Sequence, residues 1–242
     1  MRLGLVLPPG GEADLAGRAE AHGLFGALVG GPEPGQEMIA AAYAAATTEA
    51  LRVVVRVPLH SEQPVTLAEE LAVLDNVAGG RLVVLADTGE LSAGRAGQDL
   101  AALRELWSGR PVQPPGAAAP VMLTPAPAQV EIPVWLDGPA APELSASSGL
   151  PPLALRPADV RPHGLVRPAR AALSGDLDAD RALASTWRAA GATHLLLELP
   201  PGREPDAVLT LVSRHLAPEV GMVGFPRVIS ESAAPLPWPQ TS

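Results

Sequence analysis

Short runs of Val and Leu recur along the chain and alternate with stretches in which apolar residues fall three or four positions apart. An unbroken apolar run of four to six residues suits a strand covered on both faces, whereas the wider spacing puts one apolar stripe on a helix. The pattern predicts strands at 3–7 (LGLVL), 26–29 (GALV), 52–57 (RVVVRV), 82–86 (LVVLA), 132–136 (IPVWL), 152–155 (PLAL), 164–166 (GLV) and 193–198 (THLLLE). It predicts helices at 34–50, 64–78, 97–107 and 178–190. In the second of these Pro64 suits a first turn, Leu67, Leu71 and Leu74 share a face, and Gly79 and Gly80 end the helix. Strands alternating with helices give a parallel α/β architecture, and eight strands predict a (β/α)8 barrel of the TIM type.

The pattern thins on one side. Residues 156–163, RPADVRPH, carry two prolines and cannot hold a helix of ordinary length. Only 37 residues separate Arg156 from His194, against about 30 for one full βα unit, and the helix at 178–190 must fit there as well. The barrel is therefore predicted to be truncated between its sixth and seventh strands, with one crossover helix missing. Proline is dense from 109 to 131, where VMLT at 121–124 is predicted as a small extra strand over the barrel mouth. The expected organisation is one barrel domain, 1–229, followed by a Pro-rich tail, 230–242. The tail is either disordered or anchored on the trimmed face by Trp238.

Composition narrows the function classes. The chain of 242 residues is 47% hydrophobic and carries a formal net charge of −9, and all 17 of its basic residues are arginines without a cluster. Such a field repels phosphate backbones, so no nucleic-acid partner is expected. The absence of cysteine removes disulfides, thiolate nucleophiles and sulfur-ligated metals, and no histidine pattern suggests a metal. No apolar stretch of about 18 residues and no signal-like start occur, so a soluble, cytoplasmic protein without membrane contact is expected. No nucleophile-elbow, P-loop or dinucleotide glycine motif follows a strand.

Ligands of such barrels sit at the C-terminal ends of the strands. Projecting there are Pro8, Gly30, residues 58–63, Asp87 to Gly89, Asp137, Gly138, Arg156, Arg167 and Glu198. His60 alone among the histidines stands at a predicted mouth with polar neighbours, and is either a general acid or base or a solvated loop residue. Asp87 and Asp137 both end strands: they form a carboxylate pair for acid–base or metal chemistry, or they cap a helix or meet an arginine. Arg156 and Arg167 offer guanidinium forks for a phosphate or carboxylate, or pair with Asp87, Asp137 or Glu198 across a filled mouth.

The segment LAEELAVLDNVAGGRLVVLADTG resembles the third-helix and fourth-strand region of the luciferase-like family, through Leu74, Asp75, Val77, Ala78, Gly80 and Arg81. AGRAEAHGLFGALVG is similar to that family's first helix and second strand, and AGATHLLLELPPGREPDAVLTLVSRHLAPEV to its last strand and helix. The resemblance implies a flavin- or deazaflavin-dependent oxidoreductase or monooxygenase acting on a small organic substrate, with FMN or a deazaflavin as cofactor. It implies cofactor contacts at Val57 and Pro58, where relatives carry a bulge under the ring, and at the Asp87, Thr88 and Gly89 turn; position at the strand ends adds Gly138 and Arg156 to the cofactor-binding candidates and His60 as the catalytic candidate. It also implies a homodimer, or a heterodimer with a paralogue, through helices 34–50 and 64–78.

One departure from the family pattern stands out. The glycine-rich run after the strand-four arginine is reduced, its places holding Leu85, Asp87 and Gly89. A carboxylate there opposes a phosphate by roughly 1 to 4 kcal/mol, depending on separation and local dielectric. The shortened later loops remove a second phosphate-holding region. These losses leave a second reading open: a non-catalytic homologue serving as a partner subunit or as a binding protein for a flavin derivative.

Overall fold

A computed structural model describes residues 1–8, 12–30, 36–60, 62–113, 118–161 and 164–216. Among these residues seven parallel strands alternate with helices: β1 (Arg2–Val6), α1 (Glu12–Ala21), β2 (Gly26–Val29), α2 (Gln36–Ala46), β3 (Arg52–Pro58), α3 (Pro64–Val77), β4 (Leu82–Asp87) and α4 (Ala93–Trp107). There follow β5 (Val134–Asp137), α5 (Ala141–Ser148), β6 (Pro168–Ala172), α6 (Leu177–Ala189), β7 (His194–Glu198) and α7 (Pro205–Leu211). The sheet order is β5-β4-β3-β2-β1-β7-β6.

The eighth position is held by the short segment 152–154. On one side Leu153 N–H donates to Leu136 O (2.7 Å), and on the other Ala154 N–H donates to Pro168 O (3.0 Å). Single parallel bridges thus join both outer strands of the sheet, and the ladder runs round into a barrel. Beyond this segment the described chain makes only a 3-10 turn, Pro157–Asp159, in place of a crossover helix. This is the predicted truncation.

Alternation along the strands sorts the core into two layers. Leu3 and Leu5 of β1, Val53, Val55 and Val57 of β3, and Leu82 and Val84 of β4 pack outward against the helices. Leu28, Val54, Val83, Leu85, Trp135, Leu153 and Leu196 point inward and, with Phe25, fill the interior. The ring of His194 meets the edge of Phe25 at 4.9 Å between centroids and lies 5.8 Å from Trp135. Gly4 makes room for this packing: a Cβ there would lie 2.7 Å from Gly26 O and 2.8 Å from Phe25 Cε1.

Three expectations are corrected. The strand expected at 164–166 lies at Pro168–Ala172, because its pairing with β7 is anchored where Arg167 N–H meets Thr193 Oγ1. Arg167 therefore stands at the N-terminal face, opposite the mouth, and cannot reach Asp87, Asp137 or Glu198 there. The segment at 121–124 forms a single antiparallel bridge, Val112 to Val121, and the chain after it also lies at the N-terminal face. Gln129 N–H bonds Asp75, and its amide reaches Leu82 O at the start of β4. The reason is connectivity, since α4 ends and β5 begins at that face. The tail, 230–242, lies outside the described residues.

The interior packing yields a test. Gly4→Ala inserts a methyl group against fixed backbone and should destabilise the fold by about 1–3 kcal/mol, read as a lower midpoint in urea unfolding.

Candidate functional site at the barrel mouth

The register of β3, β4 and β5 places Pro58, Asp87 and Asp137 side by side at the C-terminal rim. The residue two before Pro58, Arg56, shares its inward face and reaches up between the carboxylates. Its Nη2 lies 2.9 Å from Asp87 Oδ2 and its Nε 3.4 Å from Asp137 Oδ2. The other carboxylate oxygens are also used: Asp87 Oδ1 accepts from Gly89 N–H at 3.0 Å and Asp137 Oδ1 from Gly138 N–H at 2.8 Å. Both aspartates are largely buried, with side chains 15% and 12% exposed, whereas the Arg56 side chain is 43% exposed.

Thr88 ties the two strand ends together. It is fully buried, and both its N–H (3.0 Å) and its hydroxyl (3.1 Å) donate to Asp137 O. Gly138 has φ +95°, and a Cβ on it would lie 2.5 Å from Thr88 Oγ1. Gly89 serves His60 in the same way, since its Cβ would lie 2.9 Å from His60 Cε1. Both glycines are therefore occupied by neighbouring side chains of the protein itself. His60 rests on the β4 turn with its residue exposed to solvent.

Across the mouth Arg170 of β6 pairs with Glu198 of β7. Two guanidiniums thus face three carboxylates, leaving one acid in excess. Beside Arg56 and Pro58 a small niche is lined by Glu37, Glu62 and Glu70. Partial burial, and then the charge of Glu62, hold the Glu70 carboxyl above its ordinary value. This sector of the mouth disfavours a second anion.

On the far side of Asp137 opens a cleft of about 910 Å³ between α5 and residues 152–161. Gly138 and Arg156 border it. Arg156 is held in a fork by Asp159, with Nε to Oδ2 at 2.9 Å and Nη2 to Oδ1 at 3.0 Å.

The sequence-derived residues divide accordingly. Pro58, His60, Asp87, Thr88, Gly89 and Gly138 come together at the rim, and Arg156 stands apart on the cleft. The Val57 side chain belongs to the outer core and is 3% exposed. Arg56 and Arg170, the arginines that face the mouth carboxylates, were not among the expected site residues. Alternation in RVVVRVP could have found Arg56, because it shares the parity of inward-facing Val54. Among the described residues no group of three or more His, Asp or Glu side chains is placed to hold a metal ion, and no helix is long and apolar enough to cross a membrane.

Removing the cation from this network leaves two largely buried acids facing each other. Arg56→Met should lower stability by about 1–3 kcal/mol, less than for a fully buried pair because the guanidinium is half exposed. Chemical denaturation at neutral pH measures the change.

The family model described as Luciferase-like monooxygenase matches residues 7–155. No curated protein was found to match the chain. Among solved structures it is similar to monooxygenase RslO1 from Streptomyces bottropensis, at 18% identity over 90% of this chain and 99% of that one, with a TM-score of 0.65. It is similar also to an F420-dependent secondary alcohol dehydrogenase in complex with an F420–acetone adduct, at 15% identity over 90% and 98%, with a TM-score of 0.71. A third is the coenzyme F420-dependent tetrahydromethanopterin reductase from Methanopyrus kandleri, at 14% identity over 90% and 99%, with a TM-score of 0.64. At these identities the structures speak for the fold, while the family match runs from the end of β1 through the whole rim cluster to the bridging segment. The chain belongs to the luciferase-like monooxygenase family.

Proposed function

We propose that this protein is a flavin- or deazaflavin-dependent oxidoreductase acting on a small organic substrate, with the cofactor ring at the mouth beside Pro58, His60 and Gly89. The observation that carries the reading is the exposed guanidinium edge of Arg56, fixed by Asp87 and Asp137 at the level where a guest of the barrel would rest. The exposed edge of that guanidinium is a donor for a ring oxygen or nitrogen, its charge already matched by the two acids, and His60 stands beside it as the side chain able to exchange a proton. The ring, when bound, supplies the hydride or oxygen chemistry; the protein supplies position, charge and exclusion of water.

The mouth suits the ring and not a phosphate. Asp87 is met by Arg56, so it opposes an anion less than an unpaired carboxylate would, yet the acid excess and the Glu37–Glu62–Glu70 niche remain. Gly138 and Arg156 are left for an anionic tail, and Arg156 is already matched by Asp159. Riboflavin and FMN should therefore bind with Kd values within about threefold of each other, a difference under 1 kcal/mol. Either ligand, or coenzyme F420, should persist through gel filtration and raise Tm. Neither retention nor a Tm change with any of the three would contradict the reading.

The second reading is a non-catalytic partner subunit, favoured by the protein's own atoms filling the β3–β5 sector and by a bare apolar face. Ile39 and Tyr43 on α2, and Val73 and Val77 on α3, lie one turn apart on each helix and are 73%, 60%, 48% and 48% exposed. We place a dimer seam on this face, with a second copy or a paralogue as the partner, compatible with either reading. Light scattering of the purified chain should give a dimer mass that Tyr43→Glu reduces to a monomer. A monomeric parent protein would leave the paralogue as the partner to test by co-expression.

A further inference from the structure

The truncation that removes a crossover helix also opens the side of the barrel, and the cleft there has a polarity of its own. Its wall is apolar and rigid, formed by Pro139, Pro142 and Ala146 from the α5 side and by Pro152, Leu153 and Leu155 from the bridging segment. Leu155 is 59% exposed on the lip, continuing that apolar wall outward. Proline and leucine faces of this kind accept a flat, stiff body at little entropic cost.

The two ends of the cleft differ in charge. Near the mouth stands Asp137, already shared with Arg56. Arg156 follows the C-terminal end of the bridging segment, whereas Arg161 also borders Pro151, Pro152 and Arg167 and so stands at the end away from the mouth. Asp159 is taken up bidentately by Arg156, and among the described residues no carboxylate forms an ion pair with Arg161. Arg161 also borders a water-sized niche shared with Arg167, whose Nε is buried without a hydrogen-bond partner. The Asp159 carboxyl is held below its ordinary value by Arg156 first and by Arg161 last, so in a chain of net charge −9 two guanidiniums here share one acid.

We propose that the cleft between α5 and residues 152–161 binds an aromatic or fused-ring carboxylate, its ring on the proline–leucine wall and its carboxylate at Arg161. The acid at Asp137 and the cation at Arg161 set one orientation, anionic group outward and ring toward the mouth. As a binding site the cleft stands without a cofactor; as a substrate site it rests on the oxidoreductase reading, with the ring edge the part presented to the mouth.

The test uses the full chain without added flavin. Isothermal titration with 2-naphthoate should show saturable one-site binding, and the neutral isostere 2-naphthylmethanol should bind more weakly. Arg161→Gln should weaken naphthoate about tenfold and leave the alcohol unchanged, whereas Leu155→Ser should weaken both. Both substituted residues are exposed, so a loss of fold is not expected, and an unchanged Tm checks this. No saturable naphthoate binding, equal binding of acid and alcohol, or indifference to both substitutions would overturn the proposal. Because no flavin is present, failure of the cofactor reading leaves this result standing, and failure here leaves that reading to its own measurement.

Discussion

Arg56 enters the barrel from β3 and ends between carboxylates carried by β4 and β5, so that three neighbouring strands are joined at the rim by charge as well as by their ladder. Two largely buried aspartates side by side would repel each other, and each would pay for leaving water. A guanidinium fits between them because its charge is spread over the whole plane: Nη2 meets Asp87 closely, while Nε faces Asp137 at 3.4 Å by charge alone, without a hydrogen bond. The remaining oxygens are met by the Gly89 and Gly138 N–H groups, so the turns after β4 and β5 take the shapes that keep these bonds. Thr88 and His60 then occupy the space above the two glycines. The geometry of the mouth follows from satisfying the two acids.

This arrangement gives physical content to the departure from the family pattern. Where the resemblance implies glycine at the middle of the β4 run, this chain carries Asp87, and it carries Arg56 opposite to match it. The two side chains compensate in charge and together use up volume. What the mouth loses in open space, the trimmed side provides: with the crossover helix absent, the concave surface lies between α5 and the bridging segment. A barrel of this size offers its guests a polar rim and an apolar flank, and the two meet at Asp137.

Much of the fold was legible because barrel strands buried on both faces read as plain apolar runs, and β2 lies where GALV predicts it. The exceptions share a cause. Pro168–Ala172 is rich in alanine and holds Arg170, so its strand character comes from pairing with β7 rather than from its own composition, and the nearby GLV run drew the prediction four residues too early. The extra segment at 121–124 was placed at the wrong end because apolar character says nothing about which face a connection crosses. Within the site, the strand-end residues followed from position alone. Arg56 did not, because an arginine inside a strand reads as a break in the apolar run until its parity with Val54 assigns it to the barrel interior. The partnership of Arg156 with Asp159, three residues on, is made by a local turn, and strand-end position alone does not distinguish it from pairing across the mouth.

The shape of the mouth depends on Arg56 and Asp87 being energetically coupled across β3 and β4. A double-mutant cycle measures this directly, with Arg56→Met, Asp87→Asn and the combined variant compared by urea unfolding at neutral pH. A coupling energy of about 1–3 kcal/mol, with the combined variant more stable than the sum of the single losses implies, is the predicted result. Additive losses, with a coupling near zero, would mean that the two side chains do not form this pair in solution and would contradict the account of the mouth.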